Sequence, residues 1–256
     1  MHMKYTLDTM PVLDAYKTGC ECPLCSLKIH SEDQYVDSML ASTYMEPEWR
    51  IRSNETGFCT RHYERMFARR NRLGLALMTH THMQEVIKSL ESILASGGTG
   101  AKKSLLSSLR GGKADENGTP ARIRARISGC VICEDLEKSI ERYAYTIAQL
   151  YFTNSEFKAL FEKSKGFCLP HLALVLDMAE KTLSAQQTQE FSKVVAGLEI
   201  ENLKRVEKEL EWFTLKFDYR NADKPWGNSQ DAPERAINKL QGACVGAEAE
   251  MPAHND

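Results

Sequence analysis

Apolar positions recur at intervals of three and four residues along most of the chain, and nowhere do they alternate with polar ones for long enough to make a strand. Leu24, Leu27, Val36, Met39 and Leu40 trace one such face, and Leu136, Ile140, Tyr143, Ile147 and Leu150 trace a cleaner one. Met83, Val86, Ile87, Leu90, Ile93 and Leu94 make a third, while Val206, Leu210, Phe213 and Phe217 close a long run that starts after residue 171. Stripes of this period belong to helices with one face turned to a core. Gly, Asn and Pro fall between the runs rather than at hairpin spacing, so the pattern predicts an all-α fold.

The helical pattern is written twice, and a set of metal-ligand residues is written twice with it. Cys22-Pro-Leu-Cys25 is followed after 33 residues by Cys59-Thr-Arg-His62, and Cys130-Val-Ile-Cys133 is followed after 34 residues by Cys168-Leu-Pro-His171. Equivalent cysteines of the first pair are offset by 108 residues, and the second pair by 109. The flanks repeat too, Gly57-Phe58-Cys59 against Gly166-Phe167-Cys168. Internal similarity at a fixed offset points to a duplicated unit. The expected organisation is a first helical zinc-binding repeat over 1–95, a flexible linker over 96–128, a second repeat over 129–217, a C-terminal arm with a short helix over 218–243, and a disordered tail over 244–256.

Two residues between ligands let both side chains of a tight turn or first helical turn point at one ion. Three thiolates and one imidazole complete the tetrahedron that zinc prefers, with Zn–S at roughly 2.3 Å and Zn–N at roughly 2.0 Å. The metal ligands are therefore Cys22, Cys25, Cys59, His62, Cys130, Cys133, Cys168 and His171, holding two Zn2+ per chain. Each ion would join the N-termini of two helices. The spacing leaves the partnership open: Cys22 and Cys25 can share an ion with Cys59 and His62 of the same copy, or with Cys168 and His171 in an exchanged arrangement. An iron–sulfur cluster on the same cysteines is the competing cofactor, and a thioredoxin-like dithiol would need a strand-to-helix setting that the flanks do not offer.

Composition narrows the classes further. The chain has 256 residues and a formal net charge of −2, which gives no general attraction to nucleic acid or anionic membrane. No run approaches the ~18 apolar residues of a membrane span, and the first residues do not read as a signal sequence. A cytoplasmic location follows as an expectation, and there eight cysteines are metal ligands or redox groups before they are disulfides. Arg61, Arg65, Arg69 and Arg72 share a helical face, which suits either phosphate binding or pairing with an acidic helix; nucleic acid is the less favoured partner. His80 and His82 lie two apart and point to different faces, as packed or surface histidines do. Cys20 has no equivalent in the second copy, and Cys244 is expected to be inert in the tail. Asp231-Ala-Pro-Glu234 reads as a helix cap with its capping glutamate. No Ser/His/Asp order, phosphate-binding glycine loop or zinc-hydrolase motif anchors an enzyme. The function predicted is a zinc-binding helical scaffold with an unknown protein or small-molecule partner.

Tyr5-Thr-Leu-Asp-Thr-Met-Pro11, the Cys-Pro-Leu-Cys turn, Met45-Glu-Pro-Glu-Trp49, Asn54-Glu-Thr-Gly-Phe-Cys59, Asn71-Arg-Leu-Gly-Leu-Ala76 and the segment from Phe217 to Leu240 together resemble an uncharacterised bacterial family of unknown function. The resemblance spans nearly the whole chain outside the linker and tail. It implies a prokaryotic cytoplasmic protein and brings no established activity.

Overall fold

The structure, a computed structural model, describes residues 8–97 and 118–246. Among them are eleven α-helices, two short 3-10 turns and no strand. In chain order the helices are α1 (Thr9–Lys17), α2 (Pro23–Ala41), α3 (Pro47–Thr56), α4 (Thr60–Ala68), α5 (Arg72–Gly97), α6 (Thr119–Arg126), α7 (Val131–Thr153), α8 (Ser155–Glu162), α9 (Leu169–Thr182), α10 (Ala185–Leu215) and α11 (Ala232–Gln241). The all-α expectation holds. No helix among the described residues is long and apolar enough to cross a membrane.

Local chemistry explains several boundaries. Proline opens α2 and α3 and stands in the first turn of α6, α9 and α11, where its fixed φ suits the helix and its missing N–H costs nothing. Ser184 and Gln187 form a reciprocal capping box at the start of α10, and the Asn154 side chain accepts from the Phe157 N–H at the start of α8. Asp231 precedes α11 as expected but does not cap it; its carboxylate instead takes the Arg235 guanidinium at 2.8 Å, one turn on.

Contacts divide the chain into two compact units, residues 1–31 with 137–256, and residues 32–136. They do not coincide with consecutive repeats, because α2 and α7 each contribute residues to both. In the 32–136 unit, α5 packs against α3, α4 and α6, around a core of Val36, Met39, Phe58, Met66, Met78 and Ile132. Part of the expected linker is thus helical: α6 lies on α5, where Arg126 donates to Ser89 Oγ at 3.2 Å and to the Glu55 carbonyl at 3.0 Å. Residues 98–117 of the expected linker lie outside the described residues. Along α5 the stripe is only partly a core face, for Ile93 is buried while Met83, Ile87 and Leu94 are exposed.

In the other unit, α10 packs against α9 and α11, and α1 against α8. Its core is aromatic. Phe161 is fully buried, and its ring meets those of Tyr16, Tyr151, Phe157, Phe167 and Phe191 at centroid separations of 5.3 to 6.1 Å. Phe217 leaves the stripe of α10 at 76% exposure and meets Phe213 and Trp226 edge-on instead. Removing the ring at the centre of the aromatic cluster leaves a cavity that five rigid neighbours cannot collapse into. Phe161→Ala should therefore cost about 3–5 kcal/mol in urea unfolding; a loss under about 1 kcal/mol would show that the cluster is not the core of its unit.

Candidate metal centres

All eight sequence-selected ligands sit at the N-termini of four helices. Cys22 precedes α2 with Cys25 in its first turn, and Cys130 precedes α7 with Cys133 in its first turn. Cys59 and Cys168 are the N-cap residues of α4 and α9, with His62 and His171 one turn inside. Backbone bonds fix each pair: Cys25 N–H donates to the Cys22 carbonyl at 3.0 Å, and Leu172 N–H to the Cys168 carbonyl at 2.8 Å. A helix start is a favourable place for thiolates, because its free N–H groups and dipole present partial positive charge.

The partnership is the exchanged one. Cys22, Cys25, Cys168 and His171 converge in the unit formed by 1–31 and 137–256 (site A), and Cys59, His62, Cys130 and Cys133 converge in the 32–136 unit (site B). Within each group the donor atoms all lie within 4.8 Å of one another, so either group could hold a metal ion. In site A, Sγ of Cys168 is 3.8 Å from Cys22 and 3.6 Å from Cys25, and His171 Nδ1 stands 3.3 to 3.4 Å from the three sulfurs. In site B, Cys59 Sγ is 3.8 Å from Cys133, and His62 Nδ1 is 3.2 to 3.4 Å from all three sulfurs. A tetrahedron with bonds of roughly 2.3 Å to sulfur has sulfur–sulfur edges of about 3.8 Å. Both groups thus have the size of one four-coordinate ion.

The turn that delivers Cys59 and Cys168 is the same in both sites. Gly57 and Gly166 take φ of 76° and 78°, the left-handed region that suits glycine, and Phe58 and Phe167 after them are buried. A side chain at Gly57 would strike His82 within 2.6 Å, and one at Gly166 would strike the Glu199 carboxylate at 2.4 Å. In site B the Gly57 carbonyl also accepts from Val131 N–H at 3.1 Å, which ties the two ligand turns together.

The surroundings of the two sites differ. His62 Nε2 stands 3.0 Å from Glu32 Oε1, and Glu32, 2% exposed, also accepts from Arg61 at 2.6 Å and Arg65 at 3.0 Å. Burial would raise the Glu32 carboxyl, but the His62 and Arg61 contacts bring it down to about 2. Burial would likewise lower His62, yet its bonds to Cys130 and Glu32 lift it to about 10. Against the upward pull of burial, His62 and the N–H groups of Cys59 and Cys133 bring Cys130 down to about 6. Partial burial and the neighbouring Cys130 push Cys133 up to about 12. Arg52 grips Asp135 with two bonds of 2.7 and 3.0 Å, pinning α3 to the first turns of α7.

Site A is the more deeply buried of the two. Its four ligands are buried, Cys168 completely. Hydrogen bonds from Cys22 and Cys25 hold the Cys168 thiol well below its usual range, while burial pushes Cys22 up. Gly242, in the left-handed conformation after α11, lies so near the sulfurs that a side chain there would come within 2.9 Å of Cys168 Sγ. Cys244 reaches hydrogen-bond contact with Cys25, so it belongs to the surroundings of site A rather than to a remote tail. Its φ of 52° is the only left-handed one of a non-glycine residue among those described. Buried Lys239 on α11 donates to the Phe167 carbonyl at 3.1 Å and stands 3.5 Å from Glu199, whose carboxylate accepts from Phe167 N–H at 2.8 Å. Glu21, beside Cys22, takes the Arg205 guanidinium at 2.6 and 2.9 Å.

The sequence matches a family of unknown function, DUF6062, over residues 3–247. The chain belongs to DUF6062. No curated protein and no solved structure matches it.

For this DUF6062 protein the sequence reading picked out the eight residues that the structure gathers into two Cys3His groups, but not the charged residues behind them. Glu32, Glu21, Glu199 and Lys239 carry no motif; the available signal for Glu32 is its place seven residues after Cys25, on the same side of α2. The other candidates fall into ordinary roles. Arg61, Arg65 and Arg69 pair with Glu32, Asp33 and Asp37 of α2, and Arg72 lies over the Phe67 ring, so the arginine face is spent on an acidic helix. His80 is exposed, and His82 packs on Gly57 with Nδ1 2.8 Å from the Asn54 carbonyl.

Two predictions follow from site B. Glu32→Gln removes the charge that orients His62 and should weaken metal binding at this site about 10–100-fold in competition with a chromophoric chelator; an unchanged affinity contradicts the role. Near pH 7.5 the metal-free His62 and Cys133, at about 10 and about 12, carry protons that an ion must displace, while Cys130, at about 6, has already lost its own. Affinity at site B should therefore rise with pH from 6 to 9, with protons released into weakly buffered solution on loading. A flat profile without proton release would refute this.

Proposed function

We propose that this protein is a zinc-stabilised helical scaffold whose two ions, one in each Cys3His group, hold helix N-termini together. The observation that carries it is the double convergence of three sulfurs and one imidazole nitrogen within 4.8 Å. Soft thiolates argue against magnesium and calcium, and the tetrahedral edge lengths suit zinc. A multi-iron cluster spreads its ligands over several metals and needs more room than these groups leave, which favours the single-ion reading over the iron–sulfur alternative. With four protein donors each ion is saturated, the hallmark of a structural site. Thiolate ligands require reducing surroundings, which supports a cytoplasmic protein.

A partner is part of the proposal. The unit that holds site A has a polar cleft of about 530 Å³ lined by Lys165, Arg205, Glu209, Asn228, Asp231 and Arg235. A hollow of about 340 Å³ beside Trp212 and Trp226 adjoins it. This supports a small polar molecule as the scaffold's ligand.

The test is metal analysis and mutation. Purified protein should carry two zinc ions per chain, and Cys59→Ser and Cys168→Ser should each lose one. Each should also lower the melting temperature, by roughly 10 °C if about 3 kcal/mol is lost. Iron with acid-labile sulfide, or unchanged metal content in both variants, would overturn the reading.

A further inference from the structure

We infer that Cys133 is a built-in oxidation site: a solvent-facing, metal-bound thiolate that takes a hydroperoxide, forms a disulfide with Cys59 and releases the ion of site B while site A keeps its own. The inference rests on the metal reading above and extends it to chemistry that the two sites do not share.

The two groups have the same donors and nearly the same dimensions, so what separates their reactivity is access. In site A, Cys22 and Cys25 are each 3% exposed, Cys168 is 0%, and Gly242 lies against the sulfurs. In site B, Cys130 is buried at 4%, but Cys133 is exposed and Cys59 is half-buried. A metal-bound thiol is held deprotonated, and the thiolate is the nucleophile, so every ligand cysteine has the reactive form and only Cys133 fully offers it to solvent. Oxidation follows thiolate character and exposure together. The partner is at hand, since Cys59 Sγ lies 3.8 Å from Cys133 Sγ. The two sit in the first turn of α7 and at the cap of α4, separate helices that can close the remaining distance by a small shift toward the roughly 2.05 Å of a disulfide.

The chemistry balances without a further reagent. Cys133 Sγ attacks one oxygen of the hydroperoxide, the O–O bond breaks, and the leaving oxygen takes a proton to depart as an alcohol, or as water from hydrogen peroxide. Cys133 becomes a sulfenic acid. The Cys59 thiolate then attacks Cys133 Sγ, the S–S bond forms, and hydroxide leaves and is protonated to water. Two thiolates give up two electrons, the peroxide accepts them, and the ion, left with only Cys130 and His62, dissociates.

The experiment uses the full chain with its metal content measured first, so that a preparation without bound ions strikes at the metal reading and is not confused with failure here. Loaded protein is treated with a few equivalents of hydrogen peroxide, with a chromophoric chelator reporting release and non-reducing peptide mapping reporting connectivity. The expected result is one equivalent released and a Cys59–Cys133 disulfide, with the cysteines of site A oxidised at least roughly tenfold more slowly. Cys133→His keeps four donors in site B and should retain its ion under the same treatment; loss of that ion at the wild-type rate would show that Cys133 is not the point of attack. Release of both ions together, oxidation of site A first, a Cys130–Cys133 bond in place of the Cys59 link, or no release would overturn the inference.

Discussion

Sulfur and imidazole converging at helix starts is the constraint on which the rest of this structure depends. Four helices, α2, α4, α7 and α9, begin with a ligand pair, and each pair must meet a partner far away in the chain. Short helices such as α4, with nine residues, have little stability of their own, and an amphipathic face alone lets neighbouring helices slide and rotate. An ion bound by such a set of donors would remove that freedom, because it would fix the distance and the rotation of two helix ends at once. The aromatic cluster around Phe161 and the smaller core around Met66 and Met78 can then pack in one register.

How much of this was legible depends on the kind of information. The residues of the two Cys3His groups were, because such a group demands particular residues at a fixed local spacing, and that spacing appears twice. The all-α architecture was, because periodicity is local. The pairing of ligand turns was not: Cys22-x-x-Cys25 is equally suited to Cys59-x-x-His62 and to Cys168-x-x-His171, and the choice is made by long-range packing that no local pattern encodes. The same limit hid Glu32 and Lys239. A lone charged residue on a helix reads as a solvated one, and only the fold shows that Glu32 lies behind His62 and that Lys239 grips the turn leading to Cys168. The stripe on α5 failed differently, since Met83, Ile87 and Leu94 have the right period but no element lies over them among the described residues.

The two Cys3His groups offer the same donors in unlike surroundings. At His62 a buried carboxylate braced by two arginines orients the ring, whereas among the described residues no carboxylate lies within ion-pair distance of His171. Cys168 is buried beside Gly242, whereas Cys133 is exposed. Charge behind the ligand tunes its basicity, and cover in front of it controls exchange. The two sites have divided these devices between them.

The exchanged pairing also favours one order of assembly. Site B lies inside site A along the chain, like one bracket inside another, with 67 residues between His62 and Cys130 and 142 between Cys25 and Cys168. During synthesis the inner set is complete once Cys133 has left the ribosome, while the outer set waits for His171 and its cover waits for Gly242. Closing the inner set first leaves only 33 residues on one side and 34 on the other to be spanned, which shortens the search for the outer one. The two arms are almost equal in length, so once the inner set is closed neither side of the outer loop is the harder one to span.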